Sequence, residues 1–265
     1  MPEFETLLVE RSAGITHVTL NRPEQRNAMS LKMVDELLAA LNTAETDGSR
    51  AIVLAGAGGH FCSGGDVKDM GAAQAQPDNG ADPIAGVNAR FGELCAAYAA
   101  SGLPVVVVVE GAVMGGGFGL SCVADVVLAR ETAVFRLPET GLGLVPAQIA
   151  PFLVERLGYS EARRLAVTGG KVDAAAALRL GLVHVVCEGA HSCAAALSQT
   201  LADIKRGAPN AIAATKALIR RARLEPAGDL IQDAAKSFAR AARSDEGAEG
   251  LTAFLEKRAP RWTEG

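Results

Sequence analysis

Residues 104–121 read PVVVVVEGAVMGGGFGLS, and the reading of the fold starts from them. Val105 to Val109 form an unbroken β-branched run, which predicts a strand buried on both faces. Glu110-Gly111 ends the run. Gly115, Gly116 and Gly117 then precede an apolar stretch, Leu120 to Val123, that reads as a helix. A buried strand that breaks into glycines and restarts as a helix aims bare backbone N–H groups outward. Glycine removes the Cβ that would keep a ligand off the main chain, and the helix dipole favours negative charge at that end. The stretch reads as an anion cradle, although tight turns fit the same glycines on spacing alone.

Working outward, residues 4–10 and 15–20 read as strands joined by the turn Ser12-Ala13-Gly14. Ser30 is a natural N-cap for a helix with Leu31, Val34, Leu38 and Leu41 on one face. Ala51 to Ala55 reads as a buried strand running into a second glycine loop, Gly56 through Asp66. Residues 71–83 are polar and read as a mobile connection. A helix with Ile84, Val87, Phe91, Leu94 and Tyr98 at 3/4 spacing follows it. Beyond the central stretch, strands are predicted near Val126–Arg130, Val134–Phe135 and Val183–Val186, and helices near 147–157, 160–167 and 173–180. From about residue 190 the pattern is helical only, punctuated by Pro209, Pro226 and Ser244. Strands alternating with helices predict an α/β fold.

The chain has 265 residues, 49% hydrophobic and 21% charged, so it can bury a large core and is not disordered. Aromatic content is 4%, which leaves the core to Ala, Val and Leu. Lys+Arg 26 against Asp+Glu 30 gives a net charge of −4 with no basic block, which argues against nucleic acid or an anionic membrane as partner. Cys62, Cys95, Cys122, Cys187 and Cys193 form no CxxC pair and read as buried thiols in a reducing compartment. His17, His60, His184 and His191 have no metal-ligand spacing. With no signal-like start and no apolar run of membrane-spanning length, the expected location is cytoplasmic.

Neither glycine loop fits a dinucleotide fingerprint, a phosphate-binding P-loop or a nucleophile elbow. What remains is a pair of glycine-rich strand ends, around Gly65 and Gly116, whose N–H groups could converge on one oxygen as an oxyanion hole. Several segments resemble, in order, those of the crotonase (enoyl-CoA hydratase/isomerase) superfamily. They are Asn21 to Ala28, Phe61 to Asp66, Gly111 to Gly119, Leu137-Pro138-Glu139 with Gly141 to Pro146, Ala174 to Leu182, and Lys257 to Trp262.

That resemblance implies a spiral of ββα units over residues 1–195. It also implies an all-helical oligomerisation domain over 196–265, which builds a homotrimer or a dimer of trimers. It implies an acyl-CoA thioester substrate, with coenzyme A part of the substrate and no separate cofactor. The oxyanion donors fall on Gly65 and Gly116. Coenzyme A contacts fall on Arg26, Ala28, Ser63, Gly64 and Asp66, the last acting through backbone geometry, and on Lys257, in its own or a neighbouring subunit. The family's second catalytic glutamate falls on Glu139. Its first falls on Gly119, which has no side chain.

One carboxylate can still activate water and return a proton to the α-carbon, or carry a proton from the α- to the γ-carbon. The expectations are therefore a hydratase, with a Δ3,Δ2-enoyl-CoA isomerase or a low-turnover acyl-CoA-binding protein as alternatives. Val145 to Phe152 and the Pro-Arg-Trp ending resemble the branch acting on 3-methylglutaconyl-CoA and isohexenylglutaconyl-CoA. In that reading the carboxymethyl branch of the substrate fills the volume left at Gly119, with Arg136 or Lys68 as its charge partner; the alternative is that Gly119 only allows close helix packing.

Overall fold

The computed structural model describes residues 3–75 and 82–263. The chain opens with a hairpin, β1 (Leu7–Ser12) and β2 (Ile15–Leu20), turned by Ala13 and Gly14 at φ 47° and 73°. Next come α1 (Leu31–Thr46), β3 (Ala51–Gly56), α2 (Val67–Gln74), α3 (Pro83–Ala100), β4 (Val105–Val109), β5 (Ala112–Met114) and α4 (Gly116–Val123). They are followed by β6 (Val126–Arg130), β7 (Val134–Arg136), α5 (Ala150–Thr168), β8 (Lys171–Asp173), α6 (Ala174–Arg179) and β9 (Val185–Cys187). The tail is α7 (Gly189–Arg206), α8 (Pro209–Ala222), α9 (Ala227–Ala242) and α10 (Asp245–Glu256).

The main sheet has the order β1-β2-β3-β4-β6-β9, parallel except for the β1–β2 hairpin. A smaller sheet, β5-β7-β8, stands beyond the end of β4. The five-valine strand explains itself in this setting. Val105, Val107 and Val109 join Ile52 and Leu54 in the main core under α1, α3 and α4. Val106 faces the other way, with Val53 and Leu128, against Cys193, Ala196, Leu197 and Leu201 of α7. Strand periodicity of two thus feeds separate apolar layers, which requires an unbroken apolar run.

The Ser30 cap forms as expected, its side chain accepting from the Met33 N–H. The buried face of α1 is rotated from the expected one: Met33, Val34, Leu37, Ala40, Leu41 and Ala44 are buried, while Leu31, in the first turn, is exposed. The segment after Asp66 is a helix to Gln74, capped by Asp66, rather than loop from residue 71; of the expected mobile stretch, 76–81 lies outside the described residues. The expected pair of helices at 147–157 and 160–167 is the run α5, broken at Gly158 (φ 74°) and starting later because Pro151 suits its first turn. The strands β5 and β8 were not anticipated.

All five cysteines are free and buried. Among the described residues no helix is long and apolar enough to cross a membrane. The expected boundary at 195/196 falls inside α7, one face of which belongs to the sheet's core. The helices after it bury little within the chain: nothing in α8, Leu230 in α9, and Glu249 and Ala253 in α10.

Candidate active site

The two glycine-rich strand ends lie side by side. Gly111, after β4, has φ 55°, and a Cβ there would lie 2.2 Å from the Gly59 carbonyl and 2.4 Å from His60 Nδ1, so only glycine passes. β5 pairs with the first loop through Cys62 and Val113. Gly115, at φ 45°, turns the chain into α4, whose Phe118 and Leu120 are fully buried and anchor the helix. A Cβ on Gly115 would lie 2.9 Å from Glu139 Oε1 and 3.5 Å from Gly64 Cα, which places both loops and Glu139 in one cluster. The Gly116 N–H, in the first turn of α4, and the Gly65 N–H donate to no described residue.

The first loop is fixed by a clamp. Asn27, buried, donates to the carbonyls of Ala57 and His60 and accepts from the Arg22 N–H. The Arg22 guanidinium donates to the Ala28 carbonyl and pairs with Asp66 at 2.8 Å. Asp66 also caps α2 by accepting from the Lys68 N–H. Burial opposes the Asp66 charge, but the Lys68 N–H and Arg22 outweigh it and hold the carboxyl below its usual range. Met29 N–H bonds to the Gly64 carbonyl and Asp66 N–H to the Met29 carbonyl. Gly65 is therefore held from both sides with its own N–H free.

Glu139 opens a short 3-10 turn after β7. Its Oε2 is buried with no hydrogen-bond partner among the described residues. Burial pushes the Glu139 carboxyl up from its ordinary value. A carboxylate with one oxygen desolvated and unbonded, its pKa raised by burial against a backbone hydrogen bond that lowers it, has the protonation behaviour a general acid–base needs.

The other sequence-predicted residues divide. The Ser63 N–H donates to the Arg26 carbonyl and Ser63 Oγ to the Gln25 carbonyl, so Arg26, Ala28, Ser63, Gly64 and Asp66 form one loop cluster. The side chains of Arg26 and Lys68 are exposed beside it. Arg136 donates from Nε to the Gly169 carbonyl, behind the turn that carries Glu139. Lys257, exposed at the end of α10, is not brought to the cluster within one chain. The segment after it is fastened at the start of β3, where Arg50 donates to the Trp262 carbonyl, whereas the glycine loop leaves the other end of β3.

Of the alternatives at Gly119, the structure favours close packing and corrects the open volume. A Cβ at that position would lie 3.2 Å from both Ile149 Cγ1 and Phe91 Cζ, so two apolar side chains already occupy the direction a side chain would take. Phe91 also stands 3.3 Å from the corresponding position on Gly116. Sequence reasoning placed Phe91 only on a helix face; no local pattern reveals that α3 crosses α4 here. Gln148 ties the same regions together, donating from Nε2 to Asn88 Oδ1 at 3.0 Å.

The parallel sheet thus brings two glycine turns with unbonded N–H groups and a half-buried glutamate into one cluster, an arrangement that can stabilise an oxyanion. The family model for enoyl-CoA hydratase/isomerase matches residues 10–265. A probable enoyl-CoA hydratase of Rhodobacter capsulatus is 34% identical, covering 98% of each chain. An enoyl-CoA hydratase/isomerase structure from Marinobacter aquaeolei is 48% identical at a TM-score of 0.95, covering 97% of this chain and 99% of that one. AtuE of Pseudomonas aeruginosa is 51% identical at a TM-score of 0.94, covering 98% of this chain and 100% of that one. The chain belongs to the enoyl-CoA hydratase/isomerase family, the crotonase superfamily of enzymes, and has its α/β fold with a C-terminal helical region.

Proposed function

We propose that the protein hydrates the conjugated double bond of a branched, carboxylated enoyl-CoA thioester, of the 3-methylglutaconyl-CoA or isohexenylglutaconyl-CoA type. The observation that carries the proposal is the half-buried Glu139, one carboxylate oxygen of which is buried without a partner among the described residues, in one cluster with the glycine loops whose Gly65 and Gly116 N–H groups donate to no described residue. The thioester oxygen accepts from both glycines. Glu139 takes a proton from water, which adds to the β-carbon. Electron density moves onto the thioester oxygen, and the N–H donors stabilise the enolate. Glu139 then returns the proton to the α-carbon, so one carboxylate serves as base and then acid. Coenzyme A arrives as part of the substrate, and the chemistry asks for no other cofactor.

The absence of a carboxylate at position 119 supports the carboxylated substrate through charge rather than through volume. A second glutamate there would repel an anionic branch, and Gly119 removes that repulsion. The loop residues Arg26, Ala28, Ser63, Gly64 and Asp66 are assigned to coenzyme A, with the exposed Lys68 as charge partner of the carboxylated branch, Arg136, tied to the Gly169 carbonyl, as the alternative, and Lys257 acting from a neighbouring subunit. Residues 1–195 act as the catalytic core and 196–265 as the assembly region of a cytoplasmic homotrimer or dimer of trimers.

The test is a product assay with crotonyl-CoA, 3-methylglutaconyl-CoA, isohexenylglutaconyl-CoA and a 3-enoyl-CoA. Hydration fastest on a glutaconyl thioester is the expected result. Double-bond migration in the 3-enoyl substrate without hydration of the others would replace the proposal with the isomerase reading, which the same single glutamate can perform.

A further inference from the structure

Phe91 is half-buried against the main core, and its ring edge serves both halves of the site. Cε2 and Cζ lie 3.3 and 3.4 Å from where a Cβ on Gly116 would stand, and Cζ lies 3.2 Å from the same point on Gly119. Ile149 Cγ1 closes on Gly119 from the other side at 3.2 Å. The position that lacks a side chain is thus walled by a phenyl edge and an aliphatic branch.

The wall has its own support. Asn88, Phe91 and Gly92 are neighbours on α3 at helical spacing, and Asn88 Oδ1 accepts from Gln148 Nε2. Gly92 makes room for that contact: a Cβ there would lie 2.2 Å from Gln148 Oε1. The bridge ties Gln148, and with it Ile149, to the turn of α3 that carries Phe91.

We propose that Phe91, backed at Gly119 by the buried Ile149, is a specificity-determining residue that takes an apolar substituent on the β-carbon of the acyl group. The inference rests on the reading of this site as one for β-branched enoyl thioesters, and it assigns the two branches. The apolar branch lies against the Phe91 ring, whose place is set by Ile149 behind it. The carboxylated branch points away from them, because an apolar wall leaves a carboxylate without a hydrogen-bond partner. Crowding beside Gly116 gives the wall a second effect: the ring covers the oxyanion donor's flank and limits the approach of water from that side.

Binding of saturated thioesters tests this without turnover. Titration of butanoyl-CoA and 3-methylbutanoyl-CoA into the wild-type protein should show a preference of about 10-fold or more for the branched ligand, the scale of one well-packed methyl group in an apolar pocket. Phe91→Ala should reduce the preference to within about 2-fold by the same scale, and Phe91→Leu should retain part of it. Ile149→Ala should act in the same direction. A wild-type protein that does not prefer the branched ligand would overturn the inference, as would equal changes for both ligands in folded Phe91→Leu. The hydratase reading fails separately, if wild type binds these ligands with the expected preference but adds no water to any unsaturated one.

Discussion

A carboxylate with one oxygen buried and unbonded is a poor choice for stability, and Glu139 is held in that state by its position. Burial raises its pKa, so the folded protein favours the protonated form. Its contribution to stability is therefore full at low pH and is lost as pH rises through the raised folded value. Glu139→Gln removes the charge without changing the shape. It should lower turnover about 10²–10⁴-fold while leaving acyl-CoA binding close to wild type. It should also raise the melting temperature more at pH 8 than at pH 4. Retention of a tenth of wild-type turnover would shift the acid–base role elsewhere. In the wild type, the acidic limb of the kcat/KM profile should lie above the ordinary glutamate range, since the base works only when ionised. Gly119 offers a second residue-scale test. Glu and Gln there crowd Phe91 and Ile149 equally, so their difference reports charge alone. Gly119→Glu should lose more activity than Gly119→Gln on a glutaconyl thioester, and no more than Gly119→Gln on crotonyl-CoA.

At the scale of elements, the first glycine loop depends on the clamp from Arg22 to Asp66. The Asp66 carboxyl is held below its usual range, so the clamp is complete above the unfolded carboxylate range and is lost as pH falls through the lowered value. Arg22→Met leaves Asp66 without its cation and the Ala28 carbonyl without its donor, a loss of about 1–3 kcal/mol for bonds to charged groups. The Gly65 N–H would then be misplaced, and kcat should fall about 10²-fold, the scale of an ångström of misplacement. An unchanged kcat with only a lowered melting temperature would make the clamp purely structural. Much of this architecture was legible in the sequence. The valine run, the Ser30 cap, the break at Gly158 and both glycine loops follow from local chemistry. The strands β5 and β8 were not legible: Ala112-Val113-Met114 sits inside the glycine-rich stretch, and Lys171-Val172-Asp173 has a single apolar residue between two charged ones. Nor was the wall at Gly119. Phe91 and Ile149 are 58 residues apart in sequence (149 − 91) and meet only because α3 and the start of α5 both pack on α4. The Arg22–Asp66 pair was missed for the same reason: a pairing across 44 residues (66 − 22) leaves no local periodicity.

For the molecule as a whole, the unsolved question in a single chain is the outer face of the helical tail. Ile231 and Phe238, seven apart on α9, are exposed, as are Leu251, Phe254 and Leu255 on one stripe of α10. Phe254 is 80% and Phe238 76% exposed, although both are among the most costly side chains to leave in water. The stripe is too contiguous to be scattered surface hydrophobicity and fits burial against other copies of the chain. The tail is otherwise well anchored. Lys216 of α8 holds the Leu103 carbonyl and Asp125, and Arg50 donates to the Gly207 and Trp262 carbonyls; within the tail, Glu249 binds Arg258 and Arg261. The Glu249 carboxyl, bonded to Arg258 and to the Arg261 N–H, is held down to about 2, so the C-terminal turn stays tied to α10 through mildly acidic pH. A rigid tail presenting an unburied apolar stripe should assemble. Light scattering should give the mass of a trimer or a dimer of trimers. Phe238→Asp combined with Phe254→Asp should dissociate it, because each phenyl contributes about 1.5–3 kcal/mol when buried and a buried unpaired carboxylate costs further. If Lys257 reaches the coenzyme A of a neighbouring subunit, the dissociated variant should also bind acyl-CoA more weakly, with its oxyanion glycines and Glu139 unaltered. A double variant that keeps the wild-type mass would remove these helices from the interface, and a stable wild-type monomer would remove the assembly itself.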